Sequence, residues 1–165
     1  MLLPCGKGMT DMAIDRADWH WDSTEKLYRE THGITGELTE EQEDEIWLLA
    51  GNHIGMFLRW IVENGFEGEE ADPDHCEDVR RGRMTGAEFL MWDCDGKLWD
   101  EDIREDILPF AKKYYDKQFF KDYGECCGGD APCYSFISGE EDYARLRERI
   151  DAAFEAYYEE DLGNG

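Results

Sequence analysis

Thr39-Glu40-Glu41-Gln42 has the form of a capping box, and after it Ile46, Leu49, Ala50, His53, Phe57, Trp60 and Ile61 recur at three- and four-residue steps as far as Gly65. A threonine that accepts from the amide three residues on, with a glutamine reaching back, satisfies two of the donors that every helix start leaves open. Acidic residues in the first turn complement the helix dipole. The pattern predicts one helix over about residues 40–64, polar at its start and strongly apolar in its second half. The rest of the chain must cover that apolar half, so the spacing implies one core built around this helix.

The flanking sequence reads as further helices of the same kind. A short acidic helix follows Pro73 and closes near Gly82, and a second capping box, Thr85-Gly86-Ala87-Glu88, precedes Phe89, Leu90 and Trp92 with a stop at Gly96. Ile107, Phe110, Ala111, Tyr114 and Tyr115 predict a helix over about 106–122, with Pro109 at its start. Residues 124–132 read as a loop, Cys133–Ile137 as one strand or an extended segment, and Tyr143, Leu146, Ile150, Ala153, Phe154 and Tyr157 as the stripe of a last helix to about residue 160. The expected fold is mainly α, a single compact helical domain over residues 14–161 with at most a small strand element, preceded by a disordered extension over residues 1–13.

The 41 acidic and 17 basic side chains leave a formal charge of −24 on 165 residues, too many carboxylates to pair internally. Such a surface repels nucleic acid and anionic membranes and steers basic partners toward it. The sequence has no run of about 20 apolar residues, so no membrane span is expected. The short apolar start lacks a basic leader, which reads as a cytoplasmic protein.

No nucleophile elbow, phosphate loop, dinucleotide fingerprint or HExxH string occurs, and no catalytic residue or cofactor is expected. Cys126, Cys127 and Cys133 lack the CxxC spacing of structural zinc. Asp93-Cys94-Asp95-Gly96 has the alternating carboxylates of a calcium loop, but its twelfth position is Arg104 rather than glutamate. Gly55, mid-helix, costs about 1 kcal/mol relative to alanine, which points to close approach by another segment. His53 beside it can then meet His20 or Asp22, but a metal site there needs a third ligand that spacing does not supply.

Asp15-Arg16-Ala17-Asp18-Trp19-His20, His53-Ile54-Gly55-Met56-Phe57-Leu58-Arg59-Trp60 and Thr85-Gly86-Ala87-Glu88-Phe89-Leu90 together resemble a bacterial domain family of uncharacterised function. The resemblance continues through Asp93–Tyr115 to the Tyr143 helix, and the loop from Gly124 to Cys133 departs from it as a partner-specific insertion would. In type, such small acidic proteins are similar to immunity proteins of polymorphic toxin systems. The resemblance and the charge together imply a non-catalytic protein that binds a basic protein, a cognate toxin such as a nuclease, and occludes it. The expected contact residues are Trp19, His20, Trp21, Glu40, Glu41, Asp44, Asp72, Asp74, Asp93, Asp95 and Trp99, with tryptophans as anchors among charges. The alternatives are a nucleic-acid mimic that blocks an effector such as a CRISPR nuclease, and a metal-dependent enzyme using His20 and His53.

Overall fold

The structure is a computed structural model that describes residues 13–128, 133–137 and 139–164. The expected N-terminal extension lies, apart from Ala13, outside the described residues, and Ala13 is itself buried. A two-residue strand β1 (Asp15–Arg16) is the first element among the described residues and runs into a 3-10 turn, Ala17–His20. The helices are α1 (Trp21–His32), α2 (Glu40–Glu63), α3 (Pro73–Arg80), α4 (Gly86–Trp92), α5 (Leu108–Tyr114), α6 (Phe120–Cys126) and α7 (Glu140–Asn164), with β2 (Lys97–Leu98) between α4 and α5. The fold is mainly α, with one small antiparallel sheet that pairs Asp15 with Leu98 and Arg16 with Lys97.

Helix α2 is the axis of the molecule. Its capping box forms as expected, Gln42 N donating to Thr39 Oγ1 at 3.1 Å and Thr39 N to Gln42 Oε1 at 2.8 Å. Every residue from Ala50 to Leu58 is buried, so this stretch is covered on all sides rather than along one stripe. Helix α4 supplies the closest cover. A Cβ on Gly55 would stand 2.3 Å from Ala87 N, and one on Gly86 would stand 1.9 Å from Gly55 O, so only glycine at both positions lets the two backbones meet. The close approach expected at Gly55 is therefore real, and its partner is the second capping-box helix.

The opposite side of α2 is closed by α5, α6 and α7 through an aromatic layer. Phe57 stacks on Tyr114 and meets Phe119 edge-on, and Trp60 contacts Phe110 and Phe154, with Trp60 Nε1 donating to Asp151 Oδ1 at 2.8 Å. Each such side chain, once buried, contributes on the order of 1.5–3 kcal/mol. No described helix is long and apolar enough to cross a membrane.

Several boundaries differ from the sequence expectation. Helix α1 is not announced by periodicity, since only Thr24 and Tyr28 of it are buried. Its end is marked by Gly33 in the left-handed region at φ 66°. The helix expected over 106–122 continues to Cys126, because a π-helical turn at Tyr115–Phe119 re-phases it rather than ending it, and Gly124 lies inside α6. Cys133–Ile137 is a turn and an extended segment with no strand pairing, whereas the strands that form are β1 and β2. Helix α7 runs on to Asn164.

Candidate functional site

Two arrangements merit description, one on the surface and one beneath a cleft. The surface one joins two acidic loops that lie apart in sequence. Gly68 N donates to Asp102 O at 3.0 Å and Arg104 N to Phe66 O at 2.7 Å, around a bridge between Glu67 and Ile103. A Cβ at Gly68 would stand 1.9 Å from Glu101 O, so the junction requires glycine there. The result is an open depression of about 530 Å³ whose lining includes Glu69, Glu70, Asp100, Glu101 and Glu105. Arg104 at its edge is engaged by Asp106 at 2.6 Å, and Asp100 meets Lys112 at 3.2 Å.

The expected contact residues are distributed across the molecule. Asp72 caps α3, accepting from Asp74 N at 2.8 Å, while Asp93 accepts from His75 Nδ1 at 3.0 Å and from Asp72 N at 3.2 Å. Asp93 also contributes to the rise of the His75 pKa. Asp74 and Asp95 are exposed beside them, with Asp95 in a left-handed conformation at φ 55°. Trp99 is half-buried. Glu40, Glu41 and Asp44 line a separate shallow depression at the start of α2. Trp19 is 50% exposed, whereas Trp21 is half-buried, its ring 4.4 Å from that of Trp47 and its Nε1 donating to Glu25 at 2.9 Å. The most exposed tryptophan is Trp92, at 61%, which the sequence grouped with Phe89 and Leu90 after the second capping box. It is the last residue of α4.

His20 belongs to the second arrangement. Strand β1 alternates, turning Asp15 inward and Arg16 outward, so the Asp15 carboxylate enters the protein beside α2. The 3-10 turn then brings His20 back over it, and α2 presents His53 from below. His20 Nε2 lies 2.7 Å from Asp15 Oδ1 and His53 Nε2 3.2 Å from Asp15 Oδ2, with the two imidazole centroids 4.5 Å apart. The Tyr115 hydroxyl, from the π-helical turn, donates to Asp15 Oδ2 at 2.6 Å, and the Tyr134 hydroxyl lies 2.7 Å from His20 Nδ1. Asp15 and His53 are 4% and 1% exposed.

Burial alone would raise the Asp15 pKa, but hydrogen bonds from His20, His53 and Tyr115 outweigh it and hold this carboxyl well below the usual range. Burial pushes the His53 pKa down against the opposing pull of Asp15, which favours the neutral imidazole. Burial, with the neighbouring Asp15 charge, pushes Tyr115 well up, and Tyr134 is raised to about 12 by burial and by the neighbouring Cys133 and Asp15. An ionised carboxylate can only accept, so both histidines present an Nε2–H to Asp15. His53 Nδ1 is buried with no hydrogen-bond partner among the described residues. An open cleft of about 670 Å³ lies over the group, lined by Asp15, His20, Tyr115 and Phe120 together with Lys112 and Lys113.

His53 thus meets His20, as its place beside Gly55 allowed, but the carboxylate between them is Asp15 and not Asp22. Sequence reasoning missed Asp15, Tyr115 and Tyr134. The available signal was the short spacing from Asp15 to His20; Tyr115 read as one more apolar position of a helix.

A profile for a domain of unknown function, DUF7832, matches residues 13–136. The chain belongs to this family. No curated protein and no solved structure matches it. The DUF7832 span contains the whole Asp15–His20–His53–Tyr115–Tyr134 group, runs across the loop that follows α6 and ends before α7.

The remaining cysteines show no metal cluster among the described residues. Cys76, Cys94, Cys126 and Cys127 are buried and Cys133 is exposed. The groups whose ligand atoms come together are Asp15, His20 and His53, and at the surface Asp72, His75 and Asp93.

Proposed function

We propose that this DUF7832 domain is a non-catalytic binding protein of the immunity type, acting in the cytoplasm, that docks an acidic face on a basic toxin and occludes it. The observation that carries this reading is the backbone junction at Gly68, which fuses two acidic loops into one concave surface. Separate charged loops would only raise the encounter rate, whereas a fixed concave array gives a basic protrusion defined positions to meet. Trp92, largely exposed next to Asp93, is the large aromatic from which an interface anchor is commonly made. A nuclease is the toxin class whose active site is already shaped for dense negative charge.

The test is retention of partners by the tagged chain from its own host at low and high salt, repeated with Glu70→Lys and Glu101→Lys together. A single basic protein, toxic when expressed alone, is expected at low salt and is released by high salt, chiefly through slower association. The double reversal removes it, and Trp92→Ala weakens it by about 2 kcal/mol or more. Retention that ignores both salt and the reversal would overturn the acidic-face reading, as would capture of no basic protein at either salt.

A further inference from the structure

We infer that Asp15, His20 and His53 form a binding site for one divalent transition-metal ion of the zinc class, with its remaining coordination positions opening on the cleft beside Tyr115 and Phe120. Each residue offers a ligand atom, and the three atoms lie within 4.8 Å of one another. A tetrahedral ion with bonds of roughly 2.0–2.1 Å holds its ligands about 3.3 Å apart, a spacing within the 4.8 Å that bounds these three atoms. Two imidazoles and one carboxylate are a donor set that zinc-class ions take when they keep sites for water or a ligand.

Three features separate this group from an ordinary buried histidine network. His53 is fully buried, yet Nδ1 has no described partner, a deficit that ligation through Nδ1 fills, with Nε2–H kept on Asp15, and that ligation through Nε2 does not. The outer contacts that orient metal ligands are already built: Tyr115 fixes Asp15, and the Tyr134 oxygen stands where it can accept a hydrogen bond from His20 Nδ1–H once Nε2 is given to an ion. Access is also present, because the cleft reaches Asp15 and His20 directly. The surface group Asp72, His75 and Asp93 is accessible as well, but it has no buried unpartnered nitrogen, and its carboxylates are spent on the α3 cap and on His75.

The test uses the full chain, freed of metal by dialysis against a chelator, and titrated with Zn²⁺ by calorimetry and with Co²⁺ by visible absorption. One ion per chain is expected, with a Kd of about 1 µM or tighter. His20→Gln and Asp15→Asn weaken binding by more than the roughly 100-fold that marks the upper range for outer contacts, and Tyr115→Phe by about 10- to 100-fold. His75→Gln leaves affinity and stoichiometry unchanged. Near-UV circular dichroism checks each variant, and His20, at the edge of the cleft, carries the comparison if Asp15→Asn does not fold. Absence of saturable single-ion binding to the wild-type chain overturns the inference without any variant, as does binding that His20→Gln leaves intact. No partner enters this measurement, so its failure leaves the acidic-face proposal standing, and the reverse holds too.

Discussion

Replacing Gly55 by alanine sets two effects of known size against each other. In an isolated helix the change is favourable by about 1 kcal/mol. Here the added methyl would stand 2.3 Å from Ala87 N and 2.4 Å from Gly86 C, and these are backbone atoms of α4 that cannot rotate away. Restoring ordinary contact requires α2 and α4 to separate by about 1 Å, enough to forfeit a quarter to a half of the dispersion energy across the seam. Overpacking of this kind costs about 1–3 kcal/mol, and a rigid neighbour places it at the upper end, so the net loss is about 2 kcal/mol. For a domain of this size that lowers the melting temperature by about 4–8 °C. Urea unfolding followed by tryptophan fluorescence should show a midpoint lower by about 1 M at unchanged m. Gly124→Ala is the control, because it lies inside α6 with nothing within 4 Å of the new methyl, and it should stabilise by up to about 1 kcal/mol. If Gly55→Ala is as stable as the wild type, α2 and α4 do not meet at these glycines and the packing argument fails.

Two further outcomes follow from single side chains, beside the partner and metal measurements above. Asp122, 2% exposed, accepts from Tyr114 Oη at 2.7 Å and from Arg149 Nη1 at 3.2 Å, so Asp122→Ala should cost about 2–3 kcal/mol by denaturant titration. A cycle with Tyr114→Phe should show a coupling of about 1 kcal/mol, and strict additivity would mean the bond is not formed. The hydrogen bond to Asp93, with the charges of Asp72, Asp93 and Asp78, raises the His75 pKa above its ordinary 6.5. The charged pair therefore stabilises the fold fully below about pH 6.5 and is lost as pH rises through the raised value. Melting temperatures of wild type and His75→Gln should converge as pH rises from 6 to 8, and a constant gap would refute the pairing.

What the sequence determined by itself is local. Capping boxes at Thr39 and Thr85 are made by residues three apart, so both helix starts were legible, as were the long apolar run of α2 and the dense negative charge. The close approach at Gly55 was legible as a cost without its partner, since an interior glycine signals contact but not with what. The tertiary structure decided which distant groups share one place. Asp15 reaches His53 only because β1 pairs with β2, 82 residues further along, and because a π-helical turn swings Tyr115 toward the same carboxylate. The acidic loops become one surface only through the backbone bonds at Gly68. Local propensity depends on neighbours within about one helical turn, whereas a constellation depends on how helices and strands pack, and that is settled by the burial of α2 as a whole.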